Sequence, residues 1–394
     1  MRTVWPTRRV GDLVKLTSGQ SPSGFNFDGK GVPYFKVDQL GKSTKYLGTG
    51  STPYRGTHMP TVPAGSVLIA KRGGAIALNR VRLLAVSGFM DTNVMALTPS
   101  GELDSEYLFY WLSHRGLWDI ADVTSVPQIN NKHIDPLEIA LPDPAEQAAI
   151  AAALRDCDDT VTSLERLITK KQAIKQGLMQ QLLTGRTRLP GFTDAWCTRR
   201  IGDFTHVKSG GTPSTAVARY WGGNVPWMSS GEIHAKRVHD VTGRITEDGL
   251  RESAAQLLPA GTVLMALAGQ GKTRGTVAVS RVQLSTNQSI AGILPSAEHD
   301  SDFLYYNLDT RYEELRGESS GDGGRGGLNL TIIKNLVIAM PFLPEQMAIA
   351  EILGDADDEL EALRGRLAKV RAIKIGMMQQ LLTGRVRLPV EVAS

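Results

Sequence analysis

The chain has 394 residues, more than one hydrophobic core usually serves, so two or more domains are expected. Its 41% hydrophobic and 21% charged content is ordinary for a soluble globular protein, and a net charge of +4 permits an anionic partner without marking a basic tail. Two cysteines, Cys157 and Cys197, cannot build a zinc site or a disulfide framework and suit a reducing cytoplasm. The N-terminus lacks the apolar core of a signal peptide, and no apolar run nears the ~18 residues of a membrane helix, so a cytoplasmic location is expected.

Residues 1–141 read as a mixed, strand-rich domain punctuated by Gly and Pro, as in Thr17–Pro22, Gly31–Phe35 and Val62–Gly65. Short β-type runs lie between, such as Ser66–Ala70 and Asn93–Leu97. Tyr107, Leu108, Trp111 and Leu112 recur at helical spacing and predict a helix over Ser105–Arg115.

The texture changes at Pro142 and Pro144, which suit a helix start. From Glu146 to Leu183 there is no Pro, and Ile150, Leu154, Cys157, Val161, Leu164 and Ile168 form a heptad seam. The stretch Pro142–Pro190 then recurs, without a gap, as Pro341–Pro389. Its second seam runs Ile349, Leu353, Ala356, Leu360, Leu363, Leu367 and Val370. Each helix would be on the order of 57 Å long, with Gly185 and Gly384 placed as C-terminal caps. Two matching apolar stripes predict a coiled coil, antiparallel if the halves are related by an internal two-fold axis. Packing of each helix on its own domain is the alternative.

After Pro190 the first domain's pattern restarts. Trp5–Leu13 corresponds to Trp196–Phe204, Ser18–Pro22 to Ser209–Pro213, Val32–Phe35 to Val225–Met228, and Val62–Ala70 to Leu258–Ala266. Asp91-Thr-Asn93 is matched to Ser285-Thr-Asn287. The division is therefore 1–141, 142–190, 191–340 and 341–394: domain, helix, domain, then helix with a C-terminal tail. If the halves close on each other, Pro389 should end near Trp5, and Ser394 near Met1.

No catalytic constellation emerges, and no metal site. Gly321–Gly326 fits G-x-G-x-x-G but follows a predicted helix, and Ala268–Thr273 lacks the first glycine of a phosphate loop. Asp156, Asp158 and Asp159 recur as Asp355, Asp357 and Asp358, and read best as solvated charge, dipole complements or a partner contact. Lys170, Lys171, Lys175, Arg186 and Arg188, with Lys369, Arg371, Lys374, Arg385 and Arg387, cluster at the helix ends. There they suit the helix dipole or an anionic partner.

These residues resemble the specificity subunit of type I restriction–modification enzymes. The likeness spans nearly the whole chain. It rests on Trp-x-x-x-x-[Val/Ile]-Gly-Asp, Ser-Gly-x-[Ser/Thr]-Pro, Pro-Ala-Gly-[Ser/Thr]-Val-Leu and the Thr-Asn pair. Pro-x-x-x-Glu-Gln and Met-Gln-Gln-Leu-Leu-Thr-Gly-Arg-x-Arg-Leu-Pro complete it, each motif present twice in order.

The resemblance implies an α+β fold of two mixed α/β target recognition domains, separated by two long helices in an antiparallel coiled coil with pseudo-two-fold symmetry. It implies a non-catalytic subunit that reads a bipartite, asymmetric double-stranded DNA site. Two methyltransferase subunits using S-adenosylmethionine would be its partners, joined in some complexes by two restriction and translocation subunits using ATP and Mg. No cofactor is expected on this chain. A coiled-coil scaffold without DNA reading remains the alternative.

Candidate DNA contacts are loop residues: Ser18, Lys36, Lys71, Arg72, Asn93, Gln128, Asn130, Asn131 and Lys132 in the first half. In the second half they are Ser209, Ser229, Lys272, Arg274, Asn287, Gln288, Arg325 and Asn329. Leu330 stands where the first half has Asn131, so contacts are not copied between halves. Ile150, Leu154, Val161, Leu164, Ile168, Ile349, Leu353, Leu360, Leu363 and Leu367 are the candidate coiled-coil core.

Overall fold

The computed structural model describes residues 5–24, 27, 29–57, 61–123, 126–269, 273–317 and 327–389. Two compact units emerge: Met1–Arg166 with Gly365–Ser394, and Leu167–Arg364. The division cuts both long helices, so each unit owns the first part of one helix and the last part of the other.

In the first unit a five-stranded sheet has the order Val14–Ser18, Val94–Pro99, Val67–Ala70, Arg82–Leu84, Tyr46–Leu47. The outermost pair, Tyr46–Leu47 with Arg82–Leu84, is parallel and its other pairs are antiparallel. A three-stranded sheet (Arg55–Gly56, Val32–Phe35, Phe89–Met90) and a two-stranded one (Thr7–Arg9, Glu138–Ala140) complete it. Val67–Ala70 is buried at every position, as expected of a central strand covered on both faces. The helix Ser105–Arg115 begins at Asp104, whose carboxylate accepts from the Glu106 and Tyr107 amides. Its residues Tyr107–Leu112 are all buried in the unit's core.

The second unit repeats this topology strand for strand. Its five-stranded sheet runs Val207–Ser209, Ile290–Ile293, Val263–Ala266, Val277–Ser280, Arg237–Val238. The helix Ser301–Thr310, capped by Asp300, takes the place of Ser105–Arg115.

The long helices are Pro144–Leu182 and Leu343–Leu381, 39 residues each. They pair antiparallel. In the first unit Ile150 and Leu154, near one helix start, share a core with Met378, Leu381 and Leu382 from the other helix end. In the second, Ile349 and Leu353 share a core with Leu182 and Leu183. Packing on the domain, set above as the alternative, therefore coexists with pairing at these positions. Further along, Leu164, Ile168 and Leu360 are buried, while Val161, Leu363 and Leu367 are half-buried. The caps fall as expected: Gly185 and Gly384 adopt φ of 67° and 69°.

The repeated motifs meet across the helix pair. Glu146 of the first Glu-Gln receives both Arg387 Nε and Nη2, and Glu345 of the second receives Arg188 Nε at 2.8 Å and Nη2 at 2.7 Å. Both carboxylates are buried, and each fork is the planar, bidentate geometry that suits arginine. The neighbouring glutamines, Gln147 and Gln346, accept from the Asp104 and Asp300 amides and donate to the Pro142 and Pro341 carbonyls. They thereby tie helix start to domain. Arg387 also lies 5.0 Å from the Trp5 ring, and the Trp5 indole donates to Glu146. Arg387, close to Pro389, thus lies beside Trp5, while Met1 and Ser394 lie outside the described residues.

Asp158 and Asp357 correct the reading of the acidic triplets. Asp158 accepts from the Tyr110 hydroxyl at 2.7 Å and from Lys374. Asp357 accepts likewise from Tyr306 at 2.7 Å and from Lys175. The spacing showed an acidic helix face but could not show which member turns inward to a tyrosine. Burial and the adjacent carboxylate push both phenols far above their ordinary pKa, so they stay neutral donors. Two more of the helix-end cations find partners: Lys171 with Glu359 at 2.7 Å, Arg371 with Glu165 at 2.6 Å.

His299 sets a pH dependence on the second unit. It is buried, its Nδ1 lies 2.8 Å from Ser296 Oγ, and burial lowers its pKa from 6.5 to about 4. The folded chain resists a proton that the unfolded chain takes up near pH 6.5. The stabilisation is therefore complete above pH 6.5 and is lost as pH falls towards 4, about 3 kcal/mol in all. Leu103 occupies this place in the first unit. Denaturant unfolding of His299→Leu at pH 7.5 and pH 4.5 should show a smaller acid loss than the parent; an equal loss would clear His299 of the role.

Candidate nucleic-acid interface

One end of each five-stranded sheet gathers most of the polar loops. In the first unit Val14–Ser18 and Val67–Ala70 both finish there, and Val94–Pro99 begins there. Lys71 follows the central strand, donates its amide to the Asn93 carbonyl at 2.7 Å and its Nζ to Ser18 Oγ at 3.0 Å. Arg72 pairs with Gln128 in an isolated bridge, and Ile129 N donates to the Lys71 carbonyl. Lys36 lies beside this rim, since Asp91 N donates to the Phe35 carbonyl, and its Nζ sits 3.7 Å above the Tyr54 ring. Ser18, Lys36, Lys71, Arg72, Asn93 and Gln128 are thus brought together. Burial, and then the Arg72 charge, lower the Lys71 pKa.

The other first-half candidates sit just beyond. Asn130 precedes the short helix Asn131–Ile134, and its amide donates to His133 Nδ1 at 3.0 Å. Asn131 is exposed, and Lys132 pairs with Asp122 at 3.2 Å.

Close backbone approach explains the Ser-Gly-x-[Ser/Thr]-Pro motif. A Cβ on Gly19 would stand 1.8 Å from the Asp91 carbonyl oxygen, and one on Gly210 would stand 2.2 Å from that of Asn287. Only glycine allows the first loop to lie against the turn before the next strand.

That turn corrects the alignment. Asp91 N donates to Phe35 O and Asn287 N to Met228 O, so Asp91 corresponds to Asn287 and not to Ser285. In both, the side-chain oxygen accepts from the amide two residues on, Asn93 in one unit and Ser289 in the other. Aspartate and asparagine are interchangeable in such a turn, and identity matching on Thr-Asn missed this.

In the second unit the same frame carries different side chains. Leu267 N donates to Ser289 O, and Leu328 N to Leu267 O, which places Leu267 and Ala268 where Lys71 and Arg72 stand. Ser229 replaces Lys36 and bonds Glu232 at 3.2 Å. Ser209 ends its strand, and Gln288 accepts from Thr212. Asn329 spends its side-chain oxygen on capping the Ile332 amide at 2.9 Å. Arg274 lies in the turn beyond the central strand; Lys272 and Arg325 fall outside the described residues, as do Gly321–Gly326 and Gln270–Lys272 of the two glycine motifs.

Among the described residues no group of three or more His, Cys, Asp or Glu is placed to hold a metal ion, and no helix is long and apolar enough to cross a membrane.

A duplicated frame with exchanged rim residues, backed in each unit by an antiparallel helix pair, defines a protein of two repeated recognition domains. The chain belongs to the type I restriction modification DNA specificity domain family, which matches residues 3–176 and 193–372. It is 31% identical over 170 residues to the Methanocaldococcus jannaschii type I restriction enzyme MjaIX specificity subunit, covering 42% of this chain and 39% of that one. To the MjaVIII specificity subunit of the same organism it is 22% identical, covering 98% of this chain and 93% of the relative. The fold is similar to the S subunit of a type I restriction–modification system from M. genitalium, with TM-score 0.63 at 17% identity, covering 97% of each chain. It is also similar to the HsdS subunit of Thermoanaerobacter tengcongensis, with TM-score 0.52 at 18% identity and 97% of each chain covered.

Proposed function

We propose that this chain reads a bipartite, asymmetric DNA site for a type I restriction–modification complex and performs no chemistry itself. The observation that carries the reading is the pair of rims. The backbone hydrogen bonds named above correspond between the two rims, yet Lys36, Lys71 and Arg72 are replaced by Ser229, Leu267 and Ala268. A shared frame with exchanged side chains is what two readers of unlike half-sites require. Each long helix has 39 residues, about 58 Å at ~1.5 Å per residue, which exceeds one turn of B-DNA, roughly 34 Å.

Two methyltransferase subunits would dock on this chain and use S-adenosylmethionine, with two restriction subunits using ATP and Mg joining them in a full complex. The site of action would be the cytoplasm. Footprinting the chain with purified methyltransferase subunit on genomic fragments should protect a split site with an unprotected centre. Absence of any split footprint would overturn the reading, and methylation by the isolated chain would return it to the enzymes.

A further inference from the structure

The third residue of each Ser-Gly-x-[Ser/Thr]-Pro loop is held in the same way in both units and yet carries a different side chain. It is Gln20 in the first and Gly211 in the second. The glycine before it donates to the Val94 carbonyl in one unit and to the Ile290 carbonyl in the other, at 3.1 Å each. Gln20 N donates to Met90 O and Gly211 N to Thr286 O, both at 2.8 Å. The carbonyl of the third residue accepts from an aromatic side chain on the three-stranded sheet. Tyr34 supplies its hydroxyl at 2.8 Å in the first unit, and Trp227 its indole N–H at 3.0 Å in the second.

Both backbone groups of this residue are therefore spent, and only a side chain is left to act. The Gln20 side chain is exposed and makes no hydrogen bond among the described residues. Gly211 is buried, and a Cβ there would stand 2.2 Å from the Ala254 carbonyl carbon, so the second unit admits no side chain at this place. Gln20 also belongs to the rim. On one side is Ser18, whose Oγ takes the Lys71 ammonium, and on the other the Met90–Asp91 turn, where Asp91 N meets Phe35 O just before Lys36. Two carboxylates lie along this stretch. Asp91 is buried and accepts from the Asn93 and Val37 amides, and Asp38 accepts from Gln39 at 2.6 Å.

We propose, on the footing of the DNA-reading function, that Gln20 is a specificity-determining residue that reads an adenine edge in the first unit's half-site. A primary amide sets a donor and an acceptor side by side, which matches the N7 acceptor and N6 donor of adenine in the major groove. The cations of the rim, Lys36, Lys71 and Arg72, offer donors only. The three backbone bonds fix the loop before DNA arrives, so little ordering of the main chain opposes the contact. The second unit has no such reader, and its half-site lacks this contact.

The test assembles the full chain with methyltransferase subunit and measures methylation of a randomised library of split sites, read base by base. Gln20→Ala should lower the preference for adenine at one base pair of one half-site by about 5- to 150-fold, at an unchanged melting temperature. That base pair should differ from the one changed by Arg72→Ala. Gln20→Glu keeps the size and leaves acceptors only, so the preference at the same base pair should move from adenine to cytosine. An unchanged preference in both variants, a uniform loss of methylation with the preference intact, or a change in both half-sites would each overturn the role of Gln20. The parent chain is read first. A parent without any split site would overturn the DNA-reading function itself, and Gln20 with it, so the two failures are told apart.

Discussion

Arg387→Ala should destabilise the first unit, because it leaves the buried Glu146 carboxylate without its guanidinium partner. Glu146 is 1% exposed, and the fork from Arg387 supplies most of what compensates its charge. The Trp5 indole at 3.0 Å remains after the substitution, but one neutral donor does not balance a buried carboxylate. Arg387 itself is partly exposed, so solvent screens its side of the pair and tempers the effect. Glu146→Gln in the same background should recover most of the loss, because it removes the uncompensated charge and keeps an acceptor for Trp5. Denaturant unfolding of the three chains measures this; a double variant no better than Arg387→Ala would mean that packing of the tail, and not charge, holds the unit.

The clamp was half-legible in the sequence. Glu-Gln and Arg-x-Arg stood out as repeated motifs, and Arg188 and Arg387 were counted among the helix-end cations. Nothing in a single helix reveals that the motif at one helix start binds the motif at the other helix end. That fact lives on the antiparallel pairing, which the seam spacing implied only through symmetry. Asp158 and Asp357 show the same limit, since their tyrosine partners come from helices about fifty residues upstream, Ser105–Arg115 and Ser301–Thr310. The long helices, their caps and individual strands such as Ser66–Ala70 are readable because periodicity, Gly and Pro are local signals; strand pairing is not local.

The rim was less legible. Loop polarity picked out Ser18, Lys71 and Arg72, which the fold assembles, but also Asn329, whose oxygen is spent on a helix cap. The Asp91–Asn287 equivalence was hidden because the turn selects a side-chain oxygen and tolerates either residue. Identity matching favours the wrong register in such a case.

Arg72→Ala should relax recognition at one half-site and leave the other intact. Arg72 is exposed on the first unit's rim, beside Gln128, with Lys71 and Ser18 behind it. A bidentate arginine–guanine contact contributes ~1–3 kcal/mol of discrimination, so preference at one base pair should fall by about 5- to 150-fold. Lys36 gives the contrast. Held over the Tyr54 ring at 3.7 Å, it is a point charge suited to phosphate. Lys36→Ala should weaken cognate and non-cognate duplexes alike and reduce the salt slope by about one. The two outcomes separate base reading from phosphate anchoring within one rim. Methylation of a library of split sites by the assembled complex, read base by base, decides the first; binding against salt decides the second. Changes at both half-sites in the Arg72→Ala chain would contradict independent reading by the two units, because Arg72 belongs to the first unit alone.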